Sequence, residues 1–170
     1  MADTVSRTKR SAIMAAVPQK NSKPEMVLRR ALHARGLRYV LGGRGLRGRP
    51  DLVFPRWRVA LFVHGCYWHR HTGCRKTTTP SSNVGYWNKK FEENVERDRR
   101  VVEELLSQGW RVAVIWECVT RYPIEAQLIA EVSKFVRSSI RYAEWPRLSL
   151  GESTAVNIEV EQVRARSSPR

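Results

Sequence analysis

Apolar positions along this 170-residue chain fall into blocks whose spacing switches between helical and extended. Val27, Leu28, Ala31 and Leu32 recur at the three- and four-residue intervals of one helix face. Ser22 supplies an N-cap ahead of them, Pro24 fits the first turn, Glu25 completes a capping box, and Gly36 ends the helix. Residues 37–41 read as a strand, and the Gly- and Arg-rich run from Gly42 to Pro50 as a loop. Residues 51–54 and 59–63, separated by Pro55-Arg56-Trp57-Arg58, form a β-hairpin pattern. His64 to about Tyr86 reads as a loop, and residues 87–108 as a helix with Phe91, Val95, Val102 and Leu105 on its apolar stripe. Asp98 falls on that same stripe. Residues 111–116 then read as a buried strand with Cys118 just beyond it, and residues 124–136 as a last helix. At the start, Ala12 to Val17, closed by Pro18, reads as a short helix on a mobile basic arm over residues 1–20. The tail over residues 146–170 has little apolar periodicity and is expected to be flexible. The order helix, hairpin, helix, strand, helix predicts an α/β domain over residues 21–145, a mixed central sheet flanked by helices.

Charge narrows the function. Thirty-one Lys and Arg face sixteen Asp and Glu, leaving a net charge of +15 and a pI near 10.7. Such an excess draws polyanions by counterion release and marks a nucleic-acid binder more than a metabolic enzyme. No segment approaches the roughly 20 apolar residues a bilayer span requires. The opening MADTVSRTKR lacks the apolar stretch of a signal peptide, so a cytoplasmic, nucleoid-associated protein with no membrane role is expected.

Three cysteines in a reducing compartment favour metal ligation over disulfides. Cys66, His69, His71 and Cys74 fall within one short stretch, and Cys118 can join them at its strand end. Structural zinc takes four tetrahedral sulfur or nitrogen ligands, which three cysteines and one histidine satisfy. Spacing alone leaves His69 and His71 equally eligible. A second group is acidic. Asp51 opens the first hairpin strand and His64 ends the second, a place where a carboxylate can hold a hard cation against a phosphate. Asp98, on a buried stripe, needs a partner; a histidine there would be oriented as a general base, and an arginine would make only a structural ion pair. The capping box alone accounts for Glu25.

The run Gly48-Arg49-Pro50-Asp51-Leu52-Val53-Phe54, the segment Val63-His64-Gly65-Cys66-Tyr67-Trp68-His69-Arg70-His71-Thr72-Gly73-Cys74, and the pair Tyr86-Trp87-Asn88-Lys89-Lys90-Phe91 and Asn94-Val95-Glu96-Arg97-Asp98-Arg99 closely resemble the very-short-patch-repair (Vsr) endonuclease family. The likeness runs from about Arg10 to Arg137. It implies a restriction-endonuclease-like core, a structural zinc, and magnesium-dependent nicking of double-stranded DNA 5′ to the thymine of a T:G mismatch. Because such mismatches arise by deamination of 5-methylcytosine, it also implies a companion cytosine methyltransferase. Carried over by position, Asp51 binds Mg2+ together with the backbone carbonyl of Val63. His69 is the base, steadied by Asp98, and His64 and Glu25 are auxiliary. His71 becomes the Zn2+ ligand with Cys66, Cys74 and Cys118. Tyr67, Trp68 and Trp87 match aromatic wedges that enter the stack at the mismatch, and Met14 on the arm matches a residue approaching from the minor groove. A mismatched step is already weakly stacked, so prying it open costs less than at a normal pair. Trp68 and Trp87, in polar and basic surroundings, are expected to be exposed.

Two positions depart from wider patterns. Nucleases of this superfamily usually place an acid-x-Lys pair on the second hairpin strand, where this chain has Phe62-Val63-His64. The Vsr family shares that departure, which implies histidine rather than lysine chemistry. Val63 stands where some relatives carry Thr, a harmless change if only the backbone carbonyl binds metal. The expected assembly is a monomer on DNA, with other mismatch-repair proteins as further partners. Two alternatives share features of this reading. A non-catalytic zinc-containing DNA-binding protein would leave Asp51, His69 and Asp98 without work, and a restriction enzyme would cut both strands of fully paired DNA.

Overall fold

The computed structural model describes residue 16 and residues 21–43, 45–121 and 123–146. The expected arm helix with Met14, and the tail beyond residue 146, lie outside these residues. Helix α1 (Lys23–Ala34) begins with the capping box read from sequence: Ser22 Oγ accepts from the Glu25 amide, and the Glu25 carboxylate accepts from the Ser22 amide. It ends where Gly36 takes a φ of +77° and two amides, of Gly36 and Leu37, return to His33 and Leu32 carbonyls, a Schellman closure.

Five strands make one mixed sheet in the order β1-β2-β3-β4-β5. β1 (Val40–Leu41), β2 (Leu52–Phe54) and β3 (Val59–His64) run antiparallel. A 3-10 turn over Pro55–Trp57, closed by Arg58 in the left-handed region, joins the hairpin. β3, β4 (Arg111–Trp116) and β5 (Tyr142–Trp145) are parallel. Parallel neighbours need crossovers; here they contain α3 (Val84–Ser107) and α4 (Ala126–Arg137). The sheet is therefore covered on both faces, and its central strands are buried almost throughout. Alternate side chains go to opposite layers. Leu61 and Ile115 join Leu28, Leu32, Val132 and Phe135 beneath α1 and α4. Ala60, Phe62, Val112 and Val114 join Val101 and Leu105 of α3 on the other side.

Several sequence expectations need correction. The strand expected over 37–41 is only Val40–Leu41, since Leu37 is fully buried behind the helix end. The loop expected from His64 holds a short helix, α2 (Cys66–His69). The long helix starts three residues earlier than expected and its stripe is rotated. Phe91, Asn94, Val101 and Leu105 are buried while Val95 is 45% exposed, so a polar Asn94 replaces Val95 on the inner face. β5 was not anticipated: in Tyr142-Ala143-Glu144-Trp145 the short alternation is broken by two polar contacts described below.

The Gly- and Arg-rich loop meets α3 through the Arg47–Glu104 ion pair and a close approach at Gly48. Gly48 has a φ of +76°, and a Cβ there would lie 2.4 Å from Val101 Cγ1. Gly48→Ala is expected to lower stability by about 2–4 kcal/mol, combining left-handed strain with a clash in the core. Gly45→Ala, at φ +83° but facing open space, should cost only about 1–2 kcal/mol. Urea denaturation of both variants checks the difference; equal losses would remove the packing argument.

A candidate active site beside a cysteine and histidine cluster

The C-terminal end of β3 and the helices around it gather the predicted residues. Asp51, just before β2, places Oδ2 2.7 Å from the Val63 amide. In an extended strand the N–H and C=O of one residue leave on the same edge, so the Val63 carbonyl lies on the Asp51 side. Burial pushes the Asp51 carboxyl up to about 6, against the Val63 hydrogen bond; the nearby Glu25 charge raises it further and Arg29 opposes. Glu25 is itself buried, paired with Arg29, and retains its capping contact with Ser22.

His64 follows Phe62 onto the α3 face of the sheet. Its ring stacks on that of His69 at 4.0 Å between centroids and 7° between planes. Burial, then the neighbouring His69 charge, push His64 down to about 3, so it is neutral at physiological pH. His69, at the end of α2, bonds through Nδ1 to Asp98 Oδ2 in α3. The other Asp98 oxygen accepts from Arg97 Nε and Nη2. Burial pushes the Asp98 carboxyl up, but the hydrogen bond and charge of His69 outweigh it, and the carboxyl lies below its ordinary value. His64, His69 and Asp98 bring donor atoms within 4.8 Å of one another. Lone pairs of two parallel, stacked imidazoles cannot point at a common ion, however, and Asp98 already occupies His69 Nδ1. The group is a histidine–carboxylate pair with a neutral stacking partner. It leaves His69 Nε2 free to take a proton.

Behind this site, Cys66, His71, Cys74 and Cys118 bring four donor atoms within 4.8 Å of one another. His71 Nδ1 lies 3.6 Å from Cys66 Sγ and 3.4 Å from Cys118 Sγ. A tetrahedral ion with metal–sulfur and metal–nitrogen bonds of about 2.3 and 2.0 Å would hold such ligands about 3.6 Å apart. The donor set and spacing fit a metal ion. Without one, burial pushes the Cys66 thiol up to about 12, raises Cys118 as well, and lowers His71. Thr77 closes the loop around the cluster by donating to the His71 and Cys66 carbonyls. His69 and His71, equivalent by spacing, thus go to different places.

The aromatic residues form a third group. Tyr67 and Trp68 on α2 meet edge to face at 4.9 Å, and both approach Trp87 on α3. Phe91 packs beneath Tyr67 and Trp87, and Asn94 Nδ2 donates to the Trp68 carbonyl 3.1 Å away, locking α2 onto α3. Trp68 and Trp87 are half-buried in this cluster rather than freely exposed as expected. Beside them Tyr86 is 64% exposed. Sequence reading missed Asn94, whose place on the inner stripe was detectable from its spacing to Phe91, and Arg97, adjacent to Asp98. It also missed Trp116 and Glu144, which meet only through strand register. Among the described residues no helix is long and apolar enough to cross a membrane.

Comparison with known proteins identifies the family. The model of the family described as DNA mismatch endonuclease Vsr matches residues 2–76. The type II nicking enzyme V.XorIIP of Xanthomonas oryzae pv. oryzae is 47% identical over 118 residues, spanning 69% of this chain and 86% of the relative. The DNA mismatch endonuclease Vsr of Escherichia coli is 38% identical over 121 residues, 71% of this chain and 77% of the relative. The type II nicking enzyme V.NmeAIP of Neisseria meningitidis is 37% identical over 118 residues, 69% and 84% respectively. With relatives this similar, covered over more than three-quarters of their own length, the chain belongs to the Vsr DNA mismatch endonuclease family.

Proposed function

We propose that this protein nicks double-stranded DNA on the 5′ side of the thymine in a T:G mismatch left by deamination of 5-methylcytosine. The observation that carries this reading is the convergence of a half-buried, cation-ready carboxylate at Asp51 with the His69–Asp98 pair at one end of the β2–β3 hairpin. That hairpin, within a sheet covered by helices, supports a restriction-endonuclease-like core. Asp51 and the Val63 carbonyl would hold Mg2+, which when bound neutralises charge on the phosphate and its leaving oxygen. His69 Nε2 takes the proton of the attacking water, Asp98 fixes its tautomer, and neutral His64 keeps the ring in plane without adding a competing charge. Glu25 assists from α1 by adding negative charge near Asp51.

The Cys66, His71, Cys74 and Cys118 cluster would hold a structural Zn2+, since three thiolates and one imidazole close the tetrahedron and leave no position for substrate. Tyr67, Trp68 and Trp87, with Met14 from the arm, would wedge into the weakly stacked mismatched step. Half-burial suits that task, because rings fixed on one side lose little freedom when bases stack on the other. The excess of 15 positive charges serves the phosphate backbone. The protein would act as a monomer in the cytoplasm on nucleoid DNA, with mismatch-repair proteins as further partners. A companion methyltransferase would generate the methylated sites.

Asp51→Asn keeps an acceptor for the Val63 amide but removes the charge. Nicking of a T:G duplex with magnesium should fall by at least on the order of 10²–10³-fold while binding in a gel-shift assay persists. Wild-type cleavage by this variant would sink the assignment, and a wild-type protein that shifts the duplex without cutting it would be a binder only.

The same substitution has a stability signature. A carboxyl whose folded value lies near 6, against 3.8 unfolded, contributes stability that is present below pH 3.8 and lost as pH rises through 6. Metal-free Asp51→Asn should therefore be more stable than the parent by about 1–3 kcal/mol at pH 7–8, with no advantage near pH 4. Magnesium should raise the melting temperature of the parent and not of the variant. Equal melting curves with and without magnesium for both proteins would argue against the cation site.

For the zinc site, atomic absorption should give one zinc per chain, with loss in Cys118→Ser. Removal by a chelator should lower the melting temperature markedly, since binding energy there is folding energy. A chelator-treated protein with unchanged melting and no bound zinc would refute the site.

A further inference from the structure

Trp116 stands between the cysteine and histidine cluster and the stacked imidazoles of His64 and His69. Trp116, the last residue of β4, is 7% exposed and pairs in register with His64. One face of its indole stacks on His71 at 4.4 Å and 9°. The ring also meets the His64 imidazole edge to face, at 5.4 Å and 74°, and His64 in turn stacks on His69. Trp116 Nε1 donates to Glu144 Oε1 of β5, while the Tyr142 hydroxyl holds the other oxygen of that carboxylate at 2.7 Å. The indole is therefore fixed on three sides: by a cluster residue, by the sheet, and by a half-buried hydrogen bond. Four rings then run without a gap from His71 through Trp116 and His64 to His69.

We propose that Trp116, anchored by Glu144, is a positioning residue for the nicking reaction, passing the placement of His71 through His64 to the imidazole of His69. The cluster would then set the geometry of the chemistry as well as hold its loop. This inference rests on reading His69 as the base. A buried indole N–H finds an acceptor whatever its role; the argument for positioning is the unbroken series of ring contacts, in which each ring limits the tilt of the next. Displacements of about 1 Å at a reacting group cost about 10²-fold in rate.

Single-turnover nicking of a T:G duplex, with duplex affinity and bound zinc measured on the same samples, tests it. Trp116→Leu should lower the rate about 10²-fold, with affinity and zinc content within about twofold of the parent. Glu144→Ala frees the indole and should lower the rate about tenfold, whereas Glu144→Gln, which still offers a carbonyl acceptor, should restore it to within about threefold. In Glu144→Ala the ring signals of isotopically labelled His64 and His69 should move, although neither touches residue 144. An unchanged rate in folded, zinc-containing Trp116→Leu, or a loss that only follows zinc loss or weaker binding, overturns the proposal. Parallel loss in Glu144→Ala and Glu144→Gln also overturns it. His69→Ala separates the two levels: full activity there removes the base assignment and this proposal with it, whereas an inactive His69→Ala beside a fully active Trp116→Leu removes the proposal alone.

Discussion

The parallel ladder between β3 and β4 holds the molecule together, pairing Val59 with Arg111 and continuing without a break to His64 and Trp116. Strict alternation along both strands sends Leu61, Ala113 and Ile115 to one layer, and Ala60, Phe62, Val112 and Val114 to the other. Each buried Leu, Ile or Phe contributes about 1.5–3 kcal/mol of transfer free energy, so a one-residue slip would expose both layers at once. The same alternation that buries Phe62 must bring His64 to the α3 side, and the same pairing must set Trp116 beside it. Placement of the histidine is thus a by-product of core packing.

That placement has an electrostatic cost. Burial pushes the Asp51 carboxyl up and the His64 imidazole down, while the contact with His69, working against burial, holds the Asp98 carboxyl below its ordinary value. The rest of the domain offsets this with two continuous apolar layers and with local closures such as the Ser22–Glu25 box and the Asn94–Trp68 bond. Perturbed groups of opposite character crowded at one strand end are what general acid–base work at neutral pH requires.

Much of this is legible in the sequence itself. Helix α1 announced itself through its cap, and the hairpin through two apolar runs around Pro55–Arg58, because both signals are local. Asp98 was suspected because a charge at an inner helix position needs a partner. What could not be read depended on distance in sequence. β5 is four residues whose side chains alternate between core and polar partners, so periodicity alone gave no signal. The rotated stripe on α3 was hidden because Val95 looks like a core residue, and only the contact with α2 shows that Asn94 takes its place. The choice between His69 and His71 turns on the left-handed Arg70, which ends α2 and sends the two imidazoles in different directions.

The two layers also differ in how freely they can change. Beneath α1 and α4 the sheet meets a largely apolar bed, interrupted by the Glu25–Arg29 pair of α1 and by Ser133 of α4. On the α3 side the same strands end at His64 and Trp116, beside the helix, loop and turn that carry the other imidazoles and the thiols described above. Away from the Glu25–Arg29 pair beside Asp51, evolutionary drift in side-chain shape on the first bed would reach the imidazoles only through the sheet. This gives descendants of the fold latitude to tune thermal endurance while the chemistry stays in register.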